Sequence, residues 1–118
     1  MTIRRLLGLT VVATVTACSK SATASGTPHA LTVSVRDNTF SPPADSINAG
    51  DSVTFTWQGS QMHDLIFQDS VHVPNVSTPQ TAGSVKRGFA SPGIYKYRCT
   101  IHSSDFNTGT MIGTIAVY

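Results

Sequence analysis

The chain has 118 residues, of which 40% are hydrophobic and 12% are charged. This length accommodates one compact domain and excludes multidomain oxidases, two-lobed nucleotide-binding enzymes and long coiled coils. From residue 18 onward six basic side chains are balanced by six acidic ones, so the sequence has no basic patch of the kind that nucleic-acid binding requires. We therefore expect no nucleic-acid partner.

The first 17 residues have the layout of a secretory signal peptide. A short basic region at residues 1–5 precedes an apolar stretch at residues 6–17 that ends in small side chains. Twelve residues are too few to cross a bilayer core, which takes roughly 20. We therefore expect residues 1–17 to be a signal peptide that is removed.

Cys18 ends the four-residue segment VTAC, which resembles the bacterial lipobox. The resemblance implies that Cys18 is lipidated and holds the protein at a membrane, because two or more acyl chains give stable anchoring. The alternative is ordinary cleavage after the A-x-A segment at residues 22–24, which gives a soluble periplasmic protein. Small and polar residues dominate residues 18–29 and predict a flexible tether. The folded domain is then expected at residues 30–118.

Alternation of apolar and polar residues predicts a series of short strands in the rest of the chain. The inward-facing rows, in chain order, are Leu31, Val33 and Val35; Val53, Phe55 and Trp57; His63, Leu65 and Phe67; Tyr95, Tyr97 and Cys99; and Met111, Gly113, Ile115 and Val117. A short edge piece is predicted at residues 71–73 and a further strand at 85–89. With no helical period of useful length, the prediction is an all-β antiparallel sandwich or barrel.

Three side chains that can act as metal ligands extend these inward rows. His63 and Met111 lie where their strands start, and Cys99 lies where its strand ends. The end of one strand neighbours the start of the next in an antiparallel pair, so Cys99 and Met111 are expected side by side. His63 joins them if its strand begins at the same end of the sandwich.

His102 follows Cys99 at C-x2-H spacing and completes a set of four candidate metal ligands. Two imidazoles and a thiolate in a trigonal plane, with a weak axial thioether, form the blue-copper electron-transfer site. The structural alternatives are an inert buried Cys99 or its disulfide with Cys18, a hydrogen-bonded interior His63, and a Met111 that only fills the core.

The C-terminal segments YKYRCTIH (95–102) and MIGTIAV (111–117) resemble the signature of cupredoxins of the plastocyanin type. Segments 38–42, 49–57 and 63–65 resemble earlier parts of the same family, in the same order. The resemblance implies a Greek-key β-sandwich that carries one type 1 copper ion.

Position by position, the resemblance implies His63, Cys99 and His102 as strong copper ligands and Met111 as the axial one. One departure is the spacing, because eight residues separate His102 from Met111, more than is usual in the family's small carriers. This insert, residues 103–110, contains Gly and polar loop formers, so we expect it to bulge outward and leave Met111 in register. Ile101, Phe106 and Met111 are expected to form an apolar rim around His102.

The resemblance implies a function in electron transport and not in catalysis. The expected protein is a monomeric periplasmic electron carrier that shuttles single electrons through a mononuclear type 1 copper centre. It is expected at the cell envelope, membrane-anchored through Cys18, and docks transiently with a redox partner such as a cytochrome, an oxidase or a reductase. The alternatives are a copper delivery or storage protein without an electron-transfer role, and a copper-free sandwich that acts in surface interactions.

Overall fold

A computed structural model describes residues 29–118 of the chain. Within this range lie nine strands: β1 (Ala30–Arg36), β2 (Thr39–Ser41), β3 (Ala44–Ile47), β4 (Ser52–Trp57), β5 (His63–Phe67), β6 (Val76–Gln80), β7 (Ser84–Gly88), β8 (Gly93–Arg98) and β9 (Ile112–Val117). No helix in this part of the chain has the length and hydropathy needed to cross a membrane. The predicted signal peptide (1–17), Cys18 and the tether up to residue 28 lie outside the described residues.

The strands form two facing sheets, with the order β2-β1-β4-β7 in one and β3-β9-β8-β5-β6 in the other. This confirms the predicted all-β sandwich. The sheets are mixed, however, because β1 pairs with β4 and β3 pairs with β9 in parallel. Strands joined by a tight hairpin must be antiparallel, whereas β1 and β4 are connected through β3 in the opposite sheet and can run the same way.

The predicted inward rows are buried between the two sheets. Val33, Val35, Val53 and Phe55 are fully buried in the first sheet. From the second sheet the Tyr97 ring packs edge-to-face against Phe55, with 5.3 Å between the ring centroids. Contacts of this kind add to the stabilisation from burial itself, and they fix the strand that leads to Cys99.

The predicted edge piece at residues 71–73 is wrong. The segment is a turn in which the Val73 N–H donates to the Asp69 carbonyl at 3.1 Å, and the strand of this region is β6 instead. Val73 is buried and anchors the turn, whereas Val71 is 87% exposed, so the two valines do not line one strand face.

The strands β2 and β3 are too short and polar to show an alternating pattern. The strand predicted at 85–89 is found as β7, one residue earlier.

The polarity of the strands places the ligand candidates at one end of the sandwich and the start of the domain at the other. β5 starts at His63, and the Trp57 side chain at the end of β4 donates to the His63 carbonyl at 2.9 Å. Ala30, where β1 starts, pairs with Ser52 at the opposite end of β4. Since a strand rises roughly 3.3 Å per residue, the two ends are separated by roughly 20 Å.

Candidate metal centre

His63, Cys99 and His102 meet at one end of the sandwich. The Cys99 sulfur lies 3.7 Å from Nδ1 of His63 and 3.6 Å from Nδ1 of His102. One ligand atom from each of the three residues lies within 4.8 Å of the others. The structure therefore brings together three side chains that are 36 and 3 residues apart in the sequence.

These separations fit a metal ion better than a thiol hydrogen bond. Metal–sulfur bonds of about 2.3 Å and metal–nitrogen bonds of about 2.0 Å, set at 120°, put the sulfur roughly 3.7 Å from each nitrogen. A thiol has one proton and can donate it to one ring nitrogen only. Two imidazole nitrogens at nearly equal distances from one sulfur are thus the arrangement expected of a trigonal site with two histidines and one cysteine.

The three side chains differ in their exposure. Cys99 and His63 are fully buried, whereas His102 is half-buried at the end of the sandwich, and its ring lies 5.0 Å from the His63 ring. Burial is the main cause that raises the pKa of the Cys99 thiol. The metal-free protein therefore carries a thiol here, and binding of a metal releases its proton.

Met111 is the immediate backbone neighbour of Cys99. The Cys99 N–H donates to the Met111 carbonyl at 3.0 Å, and the Met111 side chain is fully buried. The predicted adjacency of the two residues is confirmed, and the axial role of Met111 stays a prediction. The expected apolar rim needs a correction, because a fully buried Met111 cannot be part of an exposed surface. Met62 and Ile101, 55% and 52% exposed, are the apolar side chains exposed next to the ligands in sequence.

Ser103 closes the insert between His102 and Met111. Its hydroxyl accepts a hydrogen bond from the Met111 N–H at 3.0 Å, and its own N–H donates to the Cys99 carbonyl at 3.0 Å. Gly109 passes so close that a Cβ atom there would lie 2.4 Å from the Ser103 Oγ. The ends of the insert are held together, which confirms that it bulges outward while Met111 stays in register.

The insert is also tied to the outer face of β8. Arg98 donates to the Ser103 carbonyl at 2.6 Å and lies over the Phe106 ring, 5.0 Å from its centroid. Lys96 donates to the Asn107 side chain at 2.5 Å. The two cations of β8 that point away from the core therefore hold a loop, a role that the alternation pattern alone did not suggest.

Asp64 is a site residue that the sequence pattern missed. It follows His63 with the parity of an outward residue, yet it is buried and accepts hydrogen bonds from the Thr100 N–H, at 2.7 Å, and from the Thr100 hydroxyl. These bonds join the residue after one ligand to the residue after another. Only the contact with Thr100, across two strands, explains a buried carboxylate at this position.

Comparison with known proteins identifies the family. Residues 8–112 match the family model of the cupredoxin-like domain. The chain belongs to the cupredoxin family. The family binds one copper ion, and in this cupredoxin His63, Cys99 and His102 form the ligand site, with Met111 beside it.

Solved structures share the fold of this cupredoxin. A purple cupredoxin from Nitrosopumilus maritimus is 23% identical, with 75% of this chain and 99% of that chain covered and a TM-score of 0.60. An oxidised plastocyanin from Dryopteris crassirhizoma is 25% identical, with 74% and 99% covered and a TM-score of 0.60. A copper-containing nitrite reductase from Thermus scotoductus is 26% identical, with a TM-score of 0.58; the match covers 78% of this chain but 23% of that one. No curated protein matches the chain.

Proposed function

We propose that this cupredoxin is an electron carrier, not an enzyme, that passes single electrons through one type 1 copper ion. The observation that carries the proposal is the arrangement of the Nδ1 atoms of His63 and His102 at 3.7 and 3.6 Å from the buried Cys99 sulfur. Copper bound by such ligands cycles between Cu(I) and Cu(II). The plastocyanin among the structural neighbours supports this use of the site.

Hydrogen bonds around Cys99 and His63 favour electron transfer over copper delivery. The main chain at Cys99 is bonded to Met111, Thr100 is bonded to Asp64, and the His63 carbonyl accepts the Trp57 indole N–H. A delivery protein has to release its metal, whereas a carrier works best when its ligands move little between oxidation states. The hydrogen bonds at and beside Cys99 and His63 therefore support a carrier.

His102 is the proposed point of electron exchange with a redox partner. It is half-buried, and it is accompanied by the exposed side chains of Ile101 and Met62, next to the two ligand histidines in sequence. Exposed apolar side chains next to the ligands in sequence suit brief docking with a cytochrome, an oxidase or a reductase. Since the charges from residue 18 onward cancel, the docking rate should depend weakly on ionic strength.

The proposed location is the periplasmic side of the cell envelope, with lipidated Cys18 as the anchor. The described domain supports this arrangement, because β1 starts at Ala30, at the end of the sandwich opposite to His63 and Cys99. A tether attached at this end would leave the opposite end, with His63 and Cys99, free to face a partner. Incorporation of a fatty-acid analogue that is lost in Cys18→Ser tests the anchor, and unchanged labelling of the variant contradicts it.

Copper loading with visible absorption and voltammetry tests the function. We expect one copper per chain, an intense thiolate-to-copper absorption band and fast, reversible one-electron chemistry. Cys99→Ser should abolish the band, whereas His72→Ala, which changes an exposed histidine paired with Asp69, should leave it intact. Exchangeable copper without the band would instead support delivery or storage, and absence of stoichiometric copper would support a copper-free interaction module.

A further inference from the structure

Asp37 is a carboxylate outside the ligand set that contacts a ligand directly. It lies in the turn between β1 and β2, and its Oδ1 atom is 3.1 Å from Nε2 of His63, 26 residues away in the sequence. The same carboxylate accepts bonds from the Ser60 N–H, the Ser60 hydroxyl and the Gln61 N–H, at 2.8–3.1 Å. Asp37 thus binds both the ligand and the loop that leads to it.

The backbone at Gly59 allows this approach. A Cβ atom at Gly59 would lie 2.2 Å from Oδ1 and 2.9 Å from the main-chain nitrogen of Asp37. Any larger residue would push the carboxylate away from the loop at residues 60–61. The close contact between the β1–β2 turn and this loop is therefore built into the sequence at two positions.

The contact selects one tautomer of His63. An ionised carboxylate only accepts hydrogen bonds, so Nε2 has to carry the ring proton. Nδ1 then keeps its lone pair, and Nδ1 is the atom that lies 3.7 Å from the Cys99 sulfur. A carboxylate on the far nitrogen of a ligand histidine orients the ring and increases its basicity.

The two ligand histidines differ in this respect. Within residues 29–118, His63 has the Asp37 partner, while no carboxylate lies within hydrogen-bond distance of the His102 ring. His63 is fully buried and Asp37 is one-third exposed. The negative charge of Asp37 therefore lies at the edge of the site, and the His63 ring separates it from the Cys99 sulfur.

We infer that Asp37 is a positioning residue that holds His63 with its Nδ1 lone pair toward Cys99, and that its negative charge lowers the reduction potential of the centre. A nearby negative charge favours the more positively charged oxidation state of the metal. Only the effect on the reduction potential rests on the proposed function, because the tautomer of His63 is a property of the metal-free protein.

Nitrogen NMR of the metal-free, full-length mature chain tests the tautomer. The His63 ring should show a protonated Nε2 and an unprotonated Nδ1 in the wild type, and a mixture of tautomers in Asp37→Asn. A wild-type His63 that carries its proton on Nδ1 overturns the inference without any variant. Because the measurement needs no copper, it remains decisive if the protein turns out not to be an electron carrier.

Voltammetry of the copper form tests whether the charge of Asp37 lowers the reduction potential. Asp37→Asn should shift the equilibrium between oxidised and reduced copper toward the reduced form by about tenfold or more. A tenfold shift raises the reduction potential by about 59 mV for one electron. Asp69→Asn is the matched control, because it removes an exposed carboxylate that pairs with His72 on the turn after β5, at the opposite end of the strand from His63. A shift in Asp37→Asn no larger than in Asp69→Asn overturns the second part. If Asp37→Asn does not fold, Gly59→Ala, which keeps the charge but displaces it, should shift the potential in the same direction.

Discussion

The hydroxyl of Ser103 accepts the main-chain N–H of Met111 at 3.0 Å, which brings two residues eight positions apart into direct contact. Ser103 follows the half-buried ligand His102, and Met111, directly before β9, accepts the Cys99 N–H through its carbonyl. The hydrogen bond thus closes the ligand loop at its base, and residues 104–110 project from it without displacing Met111. A long insert is compatible with the ligand set because its ends meet.

Ser103→Ala should lower the free energy of unfolding. The substitution leaves the buried Met111 N–H without its partner, which costs about 1–3 kcal/mol. Urea unfolding of the metal-free protein measures the change. Ser104→Ala is the matched control, because Ser104 is exposed and adjacent in the same loop. Equal stabilities of the two variants would show that the Ser103 bond does not hold the loop.

Asp105→Asn should change how stability depends on pH. Hydrogen bonds from the Thr108 hydroxyl, and then from the Asn107 and Thr108 N–H groups, lower the pKa of Asp105. A carboxyl with a lowered pKa in the folded state stabilises the protein above its unfolded value, near 4, and loses this contribution as the pH falls. The wild type should therefore be more stable than the variant at pH 6, and the difference should shrink toward pH 2. A difference that is constant across this range contradicts the assignment.

Gly113→Ala should destabilise the sandwich strongly. A Cβ atom at Gly113 would lie 2.2–2.5 Å from two ring carbons and the hydroxyl oxygen of Tyr97, whose side chain is fully buried and cannot move aside freely. Overpacking of this kind costs about 1–3 kcal/mol or more. Gly88→Ala is the control, because nothing lies within 4 Å of its added methyl group. Denaturant midpoints of the two variants that coincide would contradict this account of the core.

Met111→Leu should keep the thiolate-to-copper absorption band and change the reduction potential. The buried leucine preserves the volume beside Cys99, while the thioether that would act as a weak axial ligand is lost. Met62→Leu provides the control, because Met62 is 55% exposed and lies directly before β5. Voltammetry that finds equal potentials for both variants would remove Met111 from the ligand set.

The ligand candidates could be predicted from the sequence because each depends on local rules. Alternation along a strand decides which face of the sheet a side chain points to. The C-x2-H spacing places Cys99 and His102 close together within a single turn of the chain. The surroundings of the ligands could not be predicted in this way. Asp64 has the parity of a solvent-facing residue, yet its bonds to Thr100 bury it.

The amino-acid sequence by itself determined the all-β class, the inward rows and the identity of the ligand candidates, because period-two patterning and short spacings act within single strands and turns. Only the tertiary structure decided which strands pair in parallel, how the insert closes on Ser103 and that Asp37 reaches His63. These features join segments that lie up to 70 residues apart, as Ala44 and Thr114 do in the pairing of β3 with β9. Such contacts depend on how the two sheets are connected and packed, and no local pattern of residues records that.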